Sequence, residues 1–143
     1  MSPKLEFDTP EGRLSLSIDD AQFMAYEAGE TSYRSTRRLV ERMQSMGLGA
    51  MAEHHARLLA QCKVNIMELR ETRDDAEAML AYGEPFEDTI SPRLDALREM
   101  ITRTQLDLRA SMDRLAALSV SCHRALTQIP GYRPPAGGYK SES

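Results

Sequence analysis

The chain has 143 residues, the size of one domain, and its 41% hydrophobic and 28% charged residues exclude a disordered acidic chain. The net charge of −4 lacks the basic excess of a general nucleic-acid coat. There is no apolar run of roughly 18–20 residues, the N-terminus is too acidic for a signal peptide, and two cysteines are too few for a disulfide framework. The composition predicts a soluble, cytoplasmic protein with free thiols and no membrane contact.

The N-terminal segment predicts a β-hairpin followed by a short helix. Residues 4–7 alternate, and residues 9–12 carry the Pro and Gly of a turn. The second strand places three aliphatic residues on one face: Leu14, Leu16 and Ile18. Asp19 is expected to cap a helix over residues 20–28 that stops at Gly29. Because a two-stranded hairpin is marginal alone, its apolar face must pack on a helix or a partner.

A further helix, capped by Thr31 and Ser32, is expected to reach about Met46 and to break or kink at residues 47–49, since each glycine there costs roughly 1 kcal/mol against alanine. Methionines cluster around this break. Such residues either fill a core or form an adaptable binding surface. On the second hypothesis the predicted partner-binding residues are Met43, Met46, Leu48 and Met51, and the hairpin, available for strand addition, adds Leu14 and Leu16.

Two long helices follow. The first is expected from Ala50 to about Tyr82, with residues spaced by three and four in its seam: Met51, His55, Leu58, Cys62, Ile66, Leu69, Arg73, Ala76 and Leu80. The second starts with Ser91 as N-cap and has a longer seam: Leu94, Leu97, Ile101, Thr104, Leu108, Ser111, Leu115, Leu118, Cys122, Ala125 and Ile129. A loop of about nine residues joins them, which favours antiparallel packing.

The predicted fold class is therefore mainly α: a long antiparallel, coiled-coil-like helical hairpin with a small N-terminal β-hairpin and short helix. The predicted segments are 1–30, 31–129 and a flexible tail over 130–143. Further apolar residues lie beside the seams: Leu59, Met79, Leu106, Met112 and Leu126. Because two helices cannot cover stripes this broad, we expect more helices, a second copy or a partner protein to pack on them.

Four arginines share one side of the helix before the break: Arg34, Arg37, Arg38 and Arg42. They could bind the phosphates of a nucleic acid or an acidic partner. They could equally pair with the acidic residues Asp19, Asp20, Glu27 and Glu30, which are close in the chain. Local pairing is the preferred interpretation because it accounts for both charge imbalances without a partner.

Histidines and cysteines form one possible metal cluster. If the hairpin closes near residues 84–88, His55 faces Cys122, with His54 and His123 at the same level. Such a set could hold Zn²⁺. The preferred interpretation is an inert core cysteine and a core histidine with a polar neighbour.

No phosphate-binding loop, Cys-x-x-Cys, His-Glu-x-x-His or nucleophile-elbow motif occurs in the sequence. We therefore expect a non-enzymatic, cofactor-free adaptor or regulator that binds another protein or a second copy of itself, in a chaperone-like or inhibitor-like way. The alternatives are a dimeric nucleic-acid-binding regulator that uses Arg34–Arg42 and a His/Cys metal-binding protein.

Overall fold

The computed structural model describes residues 3–34, 36–83 and 90–134. These residues are mainly helical and follow the element order β1 (Lys4–Thr9), β2 (Gly12–Ser17), α1 (Ile18–Tyr26), α2 (Ala28–Arg34), α3 (Thr36–Ser45), α4 (Gly49–Ala81) and α5 (Ile90–Thr127). The predicted fold class is confirmed. None of the described helices is long and apolar enough to cross a bilayer.

The chain forms two compact units. The first unit is Met1–Ala56 together with Ser111–Ser143, and the second unit is Arg57–Ala110. The segments 1–30, 31–129 and 130–143 stay a prediction about the order of the chain. Residues 135–143 of the predicted tail, and residues 84–89 where the hairpin was expected to close, lie outside the described residues.

The β-hairpin has the predicted turn. β1 and β2 pair antiparallel from Lys4 with Ser17 to Thr9 with Gly12, which leaves Pro10 and Glu11 as a two-residue connection. The Thr9 hydroxyl donates a hydrogen bond of 2.7 Å to the Gly12 carbonyl and closes the turn.

The capping predicted for the next helix was wrong. Ser17 is the N-cap of α1, and its hydroxyl accepts the Asp20 backbone N–H at 3.1 Å. Asp19 is therefore the second residue of the helix, where its charge still favours the positive end of the helix dipole. Gly29 does not end the helix but lies inside α2, which begins directly after Glu27.

The predicted break before the long helices is confirmed. Gly47 has a φ of +83°, which side chains disfavour, and the Leu48 N–H donates to the Met43 carbonyl at 2.7 Å in the manner of a helix C-cap. A β-carbon on Gly49 would lie 2.6 Å from Cγ of Gln44. The two glycines thus permit a tight turn between α3 and α4.

The first unit contains the main apolar core. Its largest side chains, each at most 1% exposed, are Leu16, Phe23, Met24, Leu39, Met43 and Leu126. Leu5, Phe7 and Leu14 of the β-hairpin pack against this core. The apolar face of the hairpin is therefore covered within the first unit, as its marginal stability requires.

Candidate functional site

The second unit is a pair of helical segments, and the seam of its α4 segment differs from the predicted one. Buried and partly buried residues recur strictly three and four apart: Leu58, Cys62, Asn65, Leu69, Thr72, Ala76 and Met79. The predicted Ile66, Arg73 and Leu80 lie one position later and were wrong as seam residues. Their placement required two consecutive steps of four, whereas alternating steps average 3.5 residues and keep one side of a helix turned toward its neighbour. On α5, the predicted seam residues Leu94, Leu97, Ile101, Thr104 and Leu108 are all buried or partly buried.

A polar pair fixes the register of this seam. Asn65 is 1% exposed, and its Nδ2 donates to the Thr104 hydroxyl at 3.3 Å, while Gln61 Nε2 donates to Asn65 Oδ1 at 2.8 Å. Asn65 precedes the end of α4 by sixteen residues and Thr104 follows the start of α5 by fourteen. Contact at these matched distances shows that the two segments run antiparallel in the second unit.

One row of α4 side chains lies outside the seam although it is largely aliphatic. Leu59, Ile66, Arg73 and Leu80 recur every seven residues, immediately after the seam positions. Leu59 and Ile66 are partly buried, as Leu58 and Leu69 of the seam are, whereas Leu80 is 62% exposed. This row therefore widens the apolar stripe of α4 on one side only.

The same side of the second unit receives two aliphatic residues from α5. When two helices run antiparallel, we can start at the seam of each helix and turn in the same sense about its axis, viewed from its own N-terminus. Both turns then lead to the same side of the pair. Leu59 and Ile66 lie about 75° from the middle of the α4 seam. Leu94 and Ile101, which are themselves seam residues of α5, lie about 25° from the middle of the α5 seam in the same sense. We call Leu59, Ile66, Leu80, Leu94 and Ile101 the apolar face.

Basic side chains border the apolar face: Lys63, Arg70, Arg73, Arg98 and Arg109, all of them exposed. Arg98 pairs with Asp95 at 3.6 Å. The other four have no carboxylate within 4 Å in the described part of the chain. One acid, Glu77, lies on the same side and has no ion-pair partner among the residues that the structure describes. The border therefore carries a net positive charge.

The opposite side of the second unit is polar. α4 contributes Gln61, Glu68 and Asp75 there, and α5 contributes Arg93 and Asp107, with Met100 as the one exposed apolar residue in this set. Exposed Val64 and Met67 are neighbours three residues apart on the surface of α4 that faces away from the seam and away from the apolar face. The apolar face is thus a feature of one side of the unit.

The arginines before the break are engaged with acids in the first unit. The pairs are Arg34 with Glu30 at 2.9 Å, Arg37 with Glu41 at 3.1 Å, Arg38 with Glu27 at 2.8 Å and Arg42 with Asp20 at 3.5 Å. Three of the four partners belong to the acidic N-terminal segment, as the local-pairing interpretation predicted. The Glu27 side chain is 4% exposed, so its bond to Arg38 also neutralises a buried charge.

The predicted facing of His55 and Cys122 was wrong. His55 is fully buried, and its Nδ1 lies 3.0 Å from the Ser111 hydroxyl. Cys122 is eleven residues farther along α5, roughly 16 Å of helix. The contact between His55 and Ser111 shows that the two helices pair at a different level from the predicted one. His54 is exposed, and the ring of His123 stacks edge-on to Tyr26 at 5.5 Å.

The described residues contain no group of three or more His, Cys, Asp or Glu that could hold a metal ion. Burial raises the pKa of the Cys122 thiol to about 12 and also raises that of Cys62. Both thiols are therefore protonated at neutral pH and are poor nucleophiles and ligands. Burial lowers the pKa of His55, His54 lowers it further, and the nearby Ser32 backbone partly opposes this shift.

The predicted partner-binding residues belong to the core of the first unit. Met43 is 0% exposed and Leu16 is 1% exposed. The other four are partly buried against the same core: Met46, Leu48, Met51 and Leu14. The structure brings all six together, but as packing and not as an open groove.

A cleft of about 350 Å³ lies between the hairpin turn and α5 in the first unit, lined mainly by Thr9–Glu11 and by α5 residues from Asp113 to Ser121. The main charges at this cleft satisfy each other, since Arg114 Nε lies 3.0 Å from Glu11 Oε1. Asp113 is the third charged side chain that lines this cleft.

No family model, curated protein or solved structure matches this chain. Its own surfaces must therefore indicate the function. The apolar face was missed by sequence reasoning because Ile66 and Leu80 were assigned to the seam. The signal that would have revealed it is the spacing of the α5 seam, in which steps of three and four residues alternate strictly. The same alternation applied to α4 places Asn65, and not Ile66, in the seam.

Proposed function

We propose that the protein is a non-enzymatic helical adaptor that binds another protein along the apolar face. The observation that carries this proposal is the aliphatic row of Leu59, Ile66 and Leu80 outside the seam. A helix with apolar residues at the two seam positions and at the next position normally contacts two neighbours in a bundle. The α4 segment has one such neighbour in the second unit.

The apolar face supplies part of the binding free energy. Completing the burial of its four partly exposed residues and of Leu80 is worth roughly 2–6 kcal/mol in total, from about 1.5–3 kcal/mol for a fully buried aliphatic side chain. Association costs about 4–15 kcal/mol in lost rigid-body freedom. A partner must therefore make further contacts, for which the charged border is available.

The state of the reactive groups also supports a binding role. The thiols of Cys62 and Cys122 are buried and protonated, and the imidazole of His55 is shielded from solvent. These groups contribute to packing inside the described part of the protein. Free cysteines also agree with the cytoplasmic location that we include in this proposal. In a chaperone-like or an inhibitor-like role alike, the protein would act by binding a helix of its partner along the apolar face.

Affinity capture from the native cell, quantified by mass spectrometry, tests the proposal with two variants. Ile66→Asp places a charge on the apolar face, and Met67→Asp places the same charge on the outer surface of the same helix, where Met67 is 58% exposed. A partner held by wild type and Met67→Asp, but reduced at least tenfold with Ile66→Asp, supports the proposal. Equal capture by both variants, with unchanged helicity, would show that the apolar face is not the binding site.

A further inference from the structure

We infer that the occupant of the apolar face is an acidic amphipathic helix of a different protein. This inference rests on the proposed function and adds the chemical class of the partner. It combines the aliphatic centre of the face with the basic residues that border it.

Four of the five basic residues that border the face have no ion-pair partner among the described residues, and the fifth, Arg98, pairs with Asp95. Lys63, Arg70, Arg73 and Arg109 are exposed, and none has a carboxylate within 4 Å among the residues that the structure describes. By contrast, the four arginines of the first unit discussed above are all paired with acids. A partner that supplies carboxylates to the face would complete ion pairs that this chain leaves open.

The position of Arg73 indicates where those carboxylates must lie. Arg73 stands in the aliphatic row between Ile66 and Leu80, and Arg70 is three residues before it on the adjoining strip of α4. A partner that buries Ile66 and Leu80 must pass over Arg73. It therefore needs an acidic residue beside its own apolar stripe, because an apolar or basic residue there would leave the guanidinium desolvated without compensation.

A second copy of this chain fits the face poorly. In a two-fold symmetric contact the same patch meets itself, so the four bases of one copy would approach those of the other. Repulsion between these like charges would oppose the burial of the aliphatic side chains. The homodimer expected from the breadth of the seams is therefore not the arrangement that this surface favours.

The dimensions of the face suit a helix. Leu59 and Leu80 are 21 residues apart on α4, or about 32 Å at 1.5 Å per residue. A partner helix of about twenty residues spans this length and can lay an apolar stripe between α4 and α5.

A nucleic acid does not suit the centre of the face, because Leu and Ile side chains offer neither a phosphate contact nor a ring for base stacking.

Fluorescence anisotropy with two synthetic peptides tests the inference on the full chain. Both peptides have 21 residues and the same leucine stripe, with glutamate flanking positions in one and lysine in the other. We expect wild type to bind the glutamate peptide at least tenfold more tightly than the lysine peptide, with affinity that falls as salt rises. The double variant Arg70→Glu/Arg73→Glu should lose this preference. Arg93→Glu, on the polar side, should keep it.

Other outcomes separate failure of this inference from failure of the proposed function. Equal binding of both peptides, lost with Ile66→Asp, would overturn the acidic partner but keep the binding face. The same holds if neither peptide binds at 1 mM and wild type sediments as a dimer that Ile66→Asp dissociates. Binding of the glutamate peptide that Ile66→Asp leaves unchanged would overturn both. A DNA duplex bound more tightly than either peptide would also overturn the inference.

Discussion

The buried imidazole of His55 makes the stability of the protein depend on pH in a defined direction. His55 is fully buried, its Nδ1 is hydrogen-bonded to the Ser111 hydroxyl, and its Nε2 has no hydrogen-bond partner of good geometry among the described residues. Burial is the main reason that its pKa is lowered, because the charged imidazolium is poorly solvated there. The unfolded chain, whose histidine pKa is about 6.5, therefore binds a proton more readily than the folded protein does.

The sign and size of the effect follow from proton linkage. The contribution of His55 is fully present above about pH 6.5 and is lost as the pH falls from there toward the lowered pKa of the folded state. Within that window the free energy of unfolding decreases by at most about 1.4 kcal/mol per pH unit, the value for one proton. Below the folded pKa the contribution of His55 no longer changes with pH.

Urea unfolding of full-length protein between pH 7.5 and 4.5 measures this slope. The double variant His55→Phe/Ser111→Ala removes the imidazole together with the hydroxyl that it would leave unpaired. The unfolding free energy of wild type minus that of this variant should decrease as the pH falls below 6.5. His54→Gln removes an exposed neighbouring imidazole and should keep most of the wild-type slope. A wild-type and double-variant difference that stays constant over the whole range would refute the reasoning.

Two further predictions compare buried positions with exposed ones, both by urea unfolding at pH 7. Leu126→Ala should destabilise the protein by about 2–5 kcal/mol, because the side chain is 0% exposed, whereas Leu106→Ala at 63% exposure should cost under about 0.5 kcal/mol. Similar losses of unfolding free energy in the two variants would contradict the assignment of Leu126 to the core of the first unit. Glu27→Ala should cost about 1–2 kcal/mol: it leaves Arg38 without its buried carboxylate, although Arg38 is 31% exposed and water screens it in part. Glu30→Ala, at an exposed pair, should cost at most about 1 kcal/mol, and a reversed order would disprove the ranking.

Local chemistry made much of the fold predictable. The turn between β1 and β2 follows from Pro10 and Gly12, and the break between α3 and α4 follows from Gly47 and Gly49. Each depends on backbone preferences of neighbouring residues, which act the same way wherever the segment lies in the fold. The seam of α5 was also predictable, since its aliphatic residues keep one spacing over the whole helix.

The errors concern choices that local chemistry leaves nearly equal. Ser17 and Asp19 are both good N-caps two residues apart, and the strand before them decided for Ser17. In α4, Ile66 is more apolar than Asn65, yet Asn65 is the buried residue because Thr104 faces it and accepts its hydrogen bond. Hydrophobicity alone favoured the wrong one of two adjacent positions.

The sequence by itself determined the two long helices, the hairpin and the break, because these depend on residues within a few positions of one another, but it did not determine how the chain divides into α1, α2 and α3. Only the tertiary structure decided the level at which α4 and α5 pair, and with it the burial of His55 against Ser111. The same choice left Ile66 and Leu80 outside the seam and so created the apolar face. Shifting one helix along the other changes little in local preference, whereas it exchanges every partner across the seam, so only the assembled contacts distinguish the alternatives.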